Sequence, residues 1–160
     1  MRLSFERWLG ASPDVLWTIL VDPGRMRSWL GADVRLLHEG SSGPLAKGAR
    51  WEATMVLPAG KLVVEVELDV VTPGARLVYR VVAGLPLKGH RAEIRLFGAE
   101  GGTWLRWEVE AEYAQSIFGQ LAEWHFEPWA ERGLAALEQH VGGGQKAISS
   151  AALESLAATG

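Results

Sequence analysis

Cysteine is absent from the 160-residue chain, which excludes a disulfide framework, thiolate chemistry and any iron–sulfur cluster with cysteine ligands. No apolar run is long enough to span a bilayer, and the first ten residues, MRLSFERWLG, carry Arg2, Glu6 and Arg7 where a signal peptide would be continuously apolar. A cytoplasmic protein without integral membrane association is the resulting expectation. Positive charge is also in short supply: the net charge is −3 and the basic residues are interspersed with acidic ones, so no nucleic-acid partner is expected. The four histidines (His38, His90, His125, His140) lack metal-ligand spacing, and no metal or cofactor is expected. No phosphate-binding glycine loop is visible, since Gly142-Gly143-Gly144 follows a helical pattern rather than opening one. Gly40-Ser41-Ser42-Gly43 lacks the spacing of a nucleophile elbow and lies between strands.

What the chain has in quantity is tryptophan: eight, within a composition that is 48% hydrophobic. Each indole buries a large area and usually needs a partner for its N–H, so the set can build a core or an aromatic pocket. Residues 1–141 read as one domain and 142–160, rich in Ala and Ser, as a loose tail.

The periodicity predicts an α+β architecture. Residues 2–9 alternate, with Leu3 and Phe5 on one face and Arg2, Ser4 and Glu6 on the other. Ser12-Pro13-Asp14 and Asp22-Pro23 each place a capping side chain before a helix-initiating proline, predicting two short helices, the second ending near Gly31. Strands are predicted at 34–38, 50–57, 61–71, 76–83, 91–97 and 103–113, separated by turn signals such as Pro73-Gly74 and Gly101-Gly102. From Gln115 to Val141 helix formers dominate, giving one helix of about 40 Å at ~1.5 Å per residue, with Pro128 expected to bend it.

Charge pairing suggests registers. A Thr72–Ala75 loop sets Glu67 opposite Arg80, and a Gly98–Gly101 loop sets Glu93 opposite Arg106 and Arg91 opposite Glu108. Antiparallel pairing of the first and last strands aligns Glu6 with Arg106, Trp8 with Trp104 and Arg2 with Glu110 on the outer face. The sum is a seven-stranded curved antiparallel sheet around a long C-terminal helix, with two short helices between the first two strands.

This order of elements resembles the START-related, SRPBCC or helix-grip superfamily, which includes polyketide cyclase/dehydrase-like proteins. Local motifs carry the likeness: Ala11-Ser12-Pro13-Asp14-Val15-Leu16-Trp17, Asp22-Pro23 with Trp29, Lys47-Gly48-Ala49-Arg50-Trp51, Val71-Thr72-Pro73-Gly74-Ala75-Arg76-Leu77 and Gly102-Thr103-Trp104-Leu105. They cover roughly residues 1–141, and all are structural punctuation rather than catalytic signatures. The resemblance implies a pocket between the concave sheet face and the long helix. Its expected lining is Trp51, Met55, Val66, Tyr79, Ile94, Leu105, Trp107 and Val109 from the sheet, with Phe118, Leu121, Trp124, His125 and Trp129 from the helix.

Catalytic candidates are few. The ladders Glu65-x-Glu67-x-Asp69 and Glu108-x-Glu110-x-Glu112 alternate onto the solvent face. Glu52 reads either way, because its strand accepts Trp51, Ala53 and Met55 inward or Glu52, Thr54 and Val56 inward. Turned inward, Glu52 would join Tyr79 and His125 as a proton-transfer group. His90, after Lys88-Gly89, reads as a rim or loop residue, and His125 as the pocket histidine or a solvent-facing one. The leading expectation is binding of a small hydrophobic molecule such as a lipid, quinone or aromatic polyketide. The rivals are a cyclase/dehydratase-like enzyme and a co-chaperone-like interaction module using an exposed Trp8–Trp104 patch. The oligomeric state is left open.

Overall fold

In the computed structural model, which describes residues 1–58, 60–113, 116–141 and 158 and their side chains outside 113 and 116–124, alternation and capping produce the expected order. It runs β1 (Arg2–Leu9), α1 (Pro13–Leu20), α2 (Pro23–Leu30), β2 (Ala32–His38), β3 (Arg50–Leu57), β4 (Gly60–Thr72), β5 (Arg76–Ala83), β6 (Leu87–Ala99), β7 (Gly102–Tyr113) and α3 (Ser116–Val141). Both short helices start as their sequences dictate. Ser12 Oγ accepts from the Val15 N–H at 3.4 Å, and Asp22 Oδ1 accepts from the Gly24 N–H at 2.9 Å. Gly31 ends α2 in the left-handed conformation at φ 69°. The tail expected at 142–160 lies outside the described residues, Ala158 excepted.

The seven strands form one curved antiparallel sheet in the order β1-β7-β6-β5-β4-β3-β2, and α3 lies across its concave side, a helix-grip fold. The β1–β7 register matches expectation throughout: Glu6 faces Arg106, Trp8 faces Trp104 and Arg2 faces Glu110. Glu67 likewise faces Arg80. The β6–β7 hairpin differs by two residues. Ala99 pairs with Gly102, so the connection is only Glu100-Gly101, made possible by Gly101 at φ 77°, and Glu93 faces Glu108 while Arg91 faces Glu110. A two-residue slip leaves every side chain on its own face, so the division into inside and outside is unaffected.

Arginines on the outer face resolve the like-charge pairing this creates. Glu93 is buried beneath Arg76 (2.7 Å), Arg91 (2.6 Å) and Arg95. These hydrogen bonds outweigh the cost of burial and hold its carboxyl down at about 2. Glu67 bridges Arg50 and Arg80 in the same way at 2.9 and 2.8 Å. The Trp8–Trp104 patch is not open as the interaction-module reading required. The two indoles pack at 5.5 Å with Phe97 against them and are only 6% and 5% exposed.

α3 is anchored to β1 and α2. Arg7 follows Leu3 and Phe5 in the inward phase of β1, an unusual place for a charge. It is accommodated by Glu131 at 2.8 Å and Glu138 at 2.7 Å on the helix. Ala130, Leu134 and Leu137 enter the core formed with Leu9, Leu16, Leu20 and Trp29. Gly133 lets α2 come close, since a Cβ there would lie 3.0 Å from the Trp29 carbonyl oxygen. Pro128 sits inside the helix on an exposed position.

Candidate functional site

The inward faces of β2 to β7 meet α3 around a cavity of ≈ 450 Å³. The lining residues share one parity along β3, β4, β5 and β7. Trp51, Ala53 and Met55 come from β3, Leu62, Val64, Val66 and Leu68 from β4, Leu77, Tyr79 and Val81 from β5, and Trp107 and Val109 from β7. Phe126 and Trp129 of α3 close one end by packing on Trp107 at 5.8 and 6.0 Å, and Phe5 lies behind them. Among the described residues the wall carries no lysine, arginine, aspartate or glutamate side chain. It is therefore a hydrocarbon and aromatic surface, broken by a few neutral polar groups.

Most of the predicted lining is brought together here: Trp51, Met55, Val66, Tyr79, Ile94, Trp107, Val109, His125 and Trp129 all border the cavity. Leu105 does not. It is 1% exposed and belongs to the packed core one inward position along β7 from Trp107. Phe118, Leu121 and Trp124 have side chains outside the described residues. Glu52 proves to be on the outer face, because Trp51, Ala53 and Met55 take the inward positions of β3. Its carboxylate pairs with Arg35 of β2 at 2.7 Å, which holds it below the usual carboxylate range.

The expectation for His90 is overturned. His125 borders the cavity from an exposed position, whereas His90 is buried in its wall. β6 begins at Leu87, earlier than expected, and an irregularity between Lys88 and Arg91, with Gly89 at φ 60°, sets His90 in phase with Ala92, Ile94 and Leu96. The signal was present in that even-numbered alternation, but Gly89 reads as a loop residue. His90 Nδ1 accepts from the Val81 backbone N–H at 3.0 Å, and its ring lies 6.2 Å from that of Tyr79. Burial lowers its pKa to about 4, so the imidazole is neutral at physiological pH.

Tyr79 is the second polar group. Burial raises its phenol well above the ordinary value, opposed in part by the neighbouring Trp107 indole. The Trp107 N–H, and that of Trp29, has no partner meeting hydrogen-bond geometry among the described residues, whereas Trp51 Nε1 donates to the Pro44 carbonyl at 3.0 Å. No group of three metal-ligating side chains converges among the described residues, and no described helix is long and apolar enough to cross a membrane.

Comparison with known proteins agrees with this architecture. The structure superposes on a START superfamily protein from Mycobacterium smegmatis with a TM-score of 0.73 at 13% identity, covering 88% of this chain and 96% of that one. A protein from Rhodobacter sphaeroides gives 0.66 at 22% identity over 88% and 91% of the two chains. A protein from Chromobacterium violaceum gives 0.63 at 21% over 89% and 98%. At such identities the likeness is one of fold. No functionally curated protein matches the chain. The family model described as "Polyketide cyclase / dehydrase and lipid transport" matches residues 2–142, and the chain thus belongs to that family.

Proposed function

We propose that the protein binds a small hydrophobic molecule, such as a lipid, quinone or aromatic polyketide, between the sheet and α3, and carries or sequesters it in the cytoplasm. The observation that carries this reading is the cavity itself: ≈ 450 Å³ of space walled mainly by aliphatic and aromatic side chains, with no lysine, arginine, aspartate or glutamate side chain among the described lining. Empty apolar space of this size forfeits dispersion contacts that a ligand would restore, and water gains few hydrogen bonds there.

The enzymatic reading called for Glu52, Tyr79 or His125 to converge inside the cavity. Tyr79 and His125 both border it, His125 from an exposed position, but Glu52 faces away and no aspartate or glutamate side chain stands among the described lining. Binding is therefore favoured over proton-transfer chemistry. Native mass spectrometry of the protein purified from its own host tests this. A co-purifying apolar molecule, released on denaturation, is the expected result. A purely ligand-free mass, together with no uptake of a neutral environment-sensitive dye, would refute the reading.

A further inference from the structure

Resting on that reading, we infer that the ligand is neutral and presents a carbonyl-type oxygen to the Nε2–H of His90, with the Tyr79 hydroxyl beside it. The Val81 backbone N–H points at His90 Nδ1 from 3.0 Å, so Nδ1 must offer its lone pair and a neutral ring carries its proton on Nε2. Protonating Nδ1 would set two N–H groups against each other inside the wall. No described residue accepts the Nε2 proton, although His90 is only 9% exposed and borders the cavity.

The other polar groups of the wall have the same character. The Trp29 indole N–H, on a side chain only 5% exposed, finds no acceptor among the described residues, and that of Trp107 is directed at the Tyr79 oxygen without reaching full hydrogen-bond geometry. An indole can only donate, and the phenol of Tyr79 both donates and accepts. Buried donors without acceptors are costly, so the wall is short of acceptor oxygens. A ligand oxygen placed at the Nε2 of His90, a residue that borders the cavity, supplies one where it can be reached. A carboxylate would supply oxygens as well, but among the described residues no lysine or arginine side chain lines the cavity to offset its desolvation. An amine would find donors where it needs acceptors. A ketone, quinone or ester carbonyl in an otherwise apolar molecule fits both conditions.

Isothermal titration calorimetry with fluorenone, fluorene and fluorene carboxylate separates the terms, since the three share one ring skeleton. Fluorenone should bind about tenfold more tightly than fluorene, the size of one good neutral hydrogen bond, and the carboxylate more weakly than either. In His90→Phe the preference for fluorenone should disappear, and in Tyr79→Phe it should diminish. If His90→Phe fails to fold, NMR of the wild-type imidazole serves instead: the His90 Nε2–H resonance should move with fluorenone and stay with fluorene. Equal binding of fluorenone and fluorene, or a preference that survives His90→Phe, would overturn the inference and leave the hydrophobic-cavity reading standing. No binding of any of the three would remove both.

Discussion

The two faces of one sheet solve opposite problems. The convex face carries the charge: Glu93 under three arginines, Glu67 between two, and Arg106 with Glu6. The concave face carries almost none, and its one buried histidine is kept neutral by burial and by a backbone donor on Nδ1. Along a strand these faces are one residue apart, as at Glu52 and Trp51 or Glu93 and Ile94. Chemistry that looks adjacent in sequence is thus separated by the thickness of the sheet, and within the acidic ladders Glu67, Asp69 and Glu110 pair with arginines of the outer face.

Trp107→Ala removes a fully buried indole that joins the sheet to Phe126 and Trp129, and should destabilise the fold by about 3–5 kcal/mol in chemical denaturation. A loss below about 1 kcal/mol would show that the concave face is not a packed wall at that point.

The two faces should also differ in their acid sensitivity. His90 has a folded pKa near 4 against an ordinary 6.5, so between those values the unfolded chain binds more protons and stability falls as pH drops from 6.5 to 4. His90→Phe should flatten that segment, which is worth on the order of 2–3 kcal/mol in the wild type. Glu93 acts in the next window. Its folded pKa near 2 against 4.5 gives stability that is present above 4.5 and lost as pH falls toward 2. Because its arginine partners are partly exposed, the loss there should be on the order of 1–2 kcal/mol, and Glu93→Gln should abolish it. Urea titrations across pH distinguish the windows. A single variant flattening both would mean that the faces are coupled.

The smallest effect concerns Glu52. Glu52→Gln breaks an exposed pair with Arg35 and should leave binding of a neutral apolar probe unchanged. A change in affinity there would place the carboxylate in communication with the cavity and revive the enzymatic reading.

Much of this was legible in the sequence, and the exceptions have physical causes. Alternation located every strand, and the triple match of Glu6–Arg106, Trp8–Trp104 and Arg2–Glu110 was enough to close the sheet from first strand to last. Charge matching failed at β6–β7, where slips of two residues exchange one plausible set of neighbours for another. It could not foresee that Glu93 takes its arginines from its own strand and from β5 rather than from Arg106. The cavity wall followed from parity, except at Leu105, where inward pointing was right but the space had already closed. Glu52 was ambiguous because both parities of β3 offer apolar residues, and Arg35 decides it only once β2 is paired alongside. His90 was hidden by Gly89, whose left-handed backbone belongs to an irregular strand rather than to a loop.

The central claim is that the concave face encloses space which a neutral apolar ligand occupies, and filling that space tests it most directly. Val66 borders the cavity from the middle of β4. Titration of Nile red, followed by its fluorescence, should show saturable binding to the wild type and at least a tenfold loss of affinity in Val66→Trp, with the circular dichroism of the fold retained. Equal affinity in a folded Val66→Trp variant would contradict the account, because the dye would then be bound somewhere other than between the sheet and the helix.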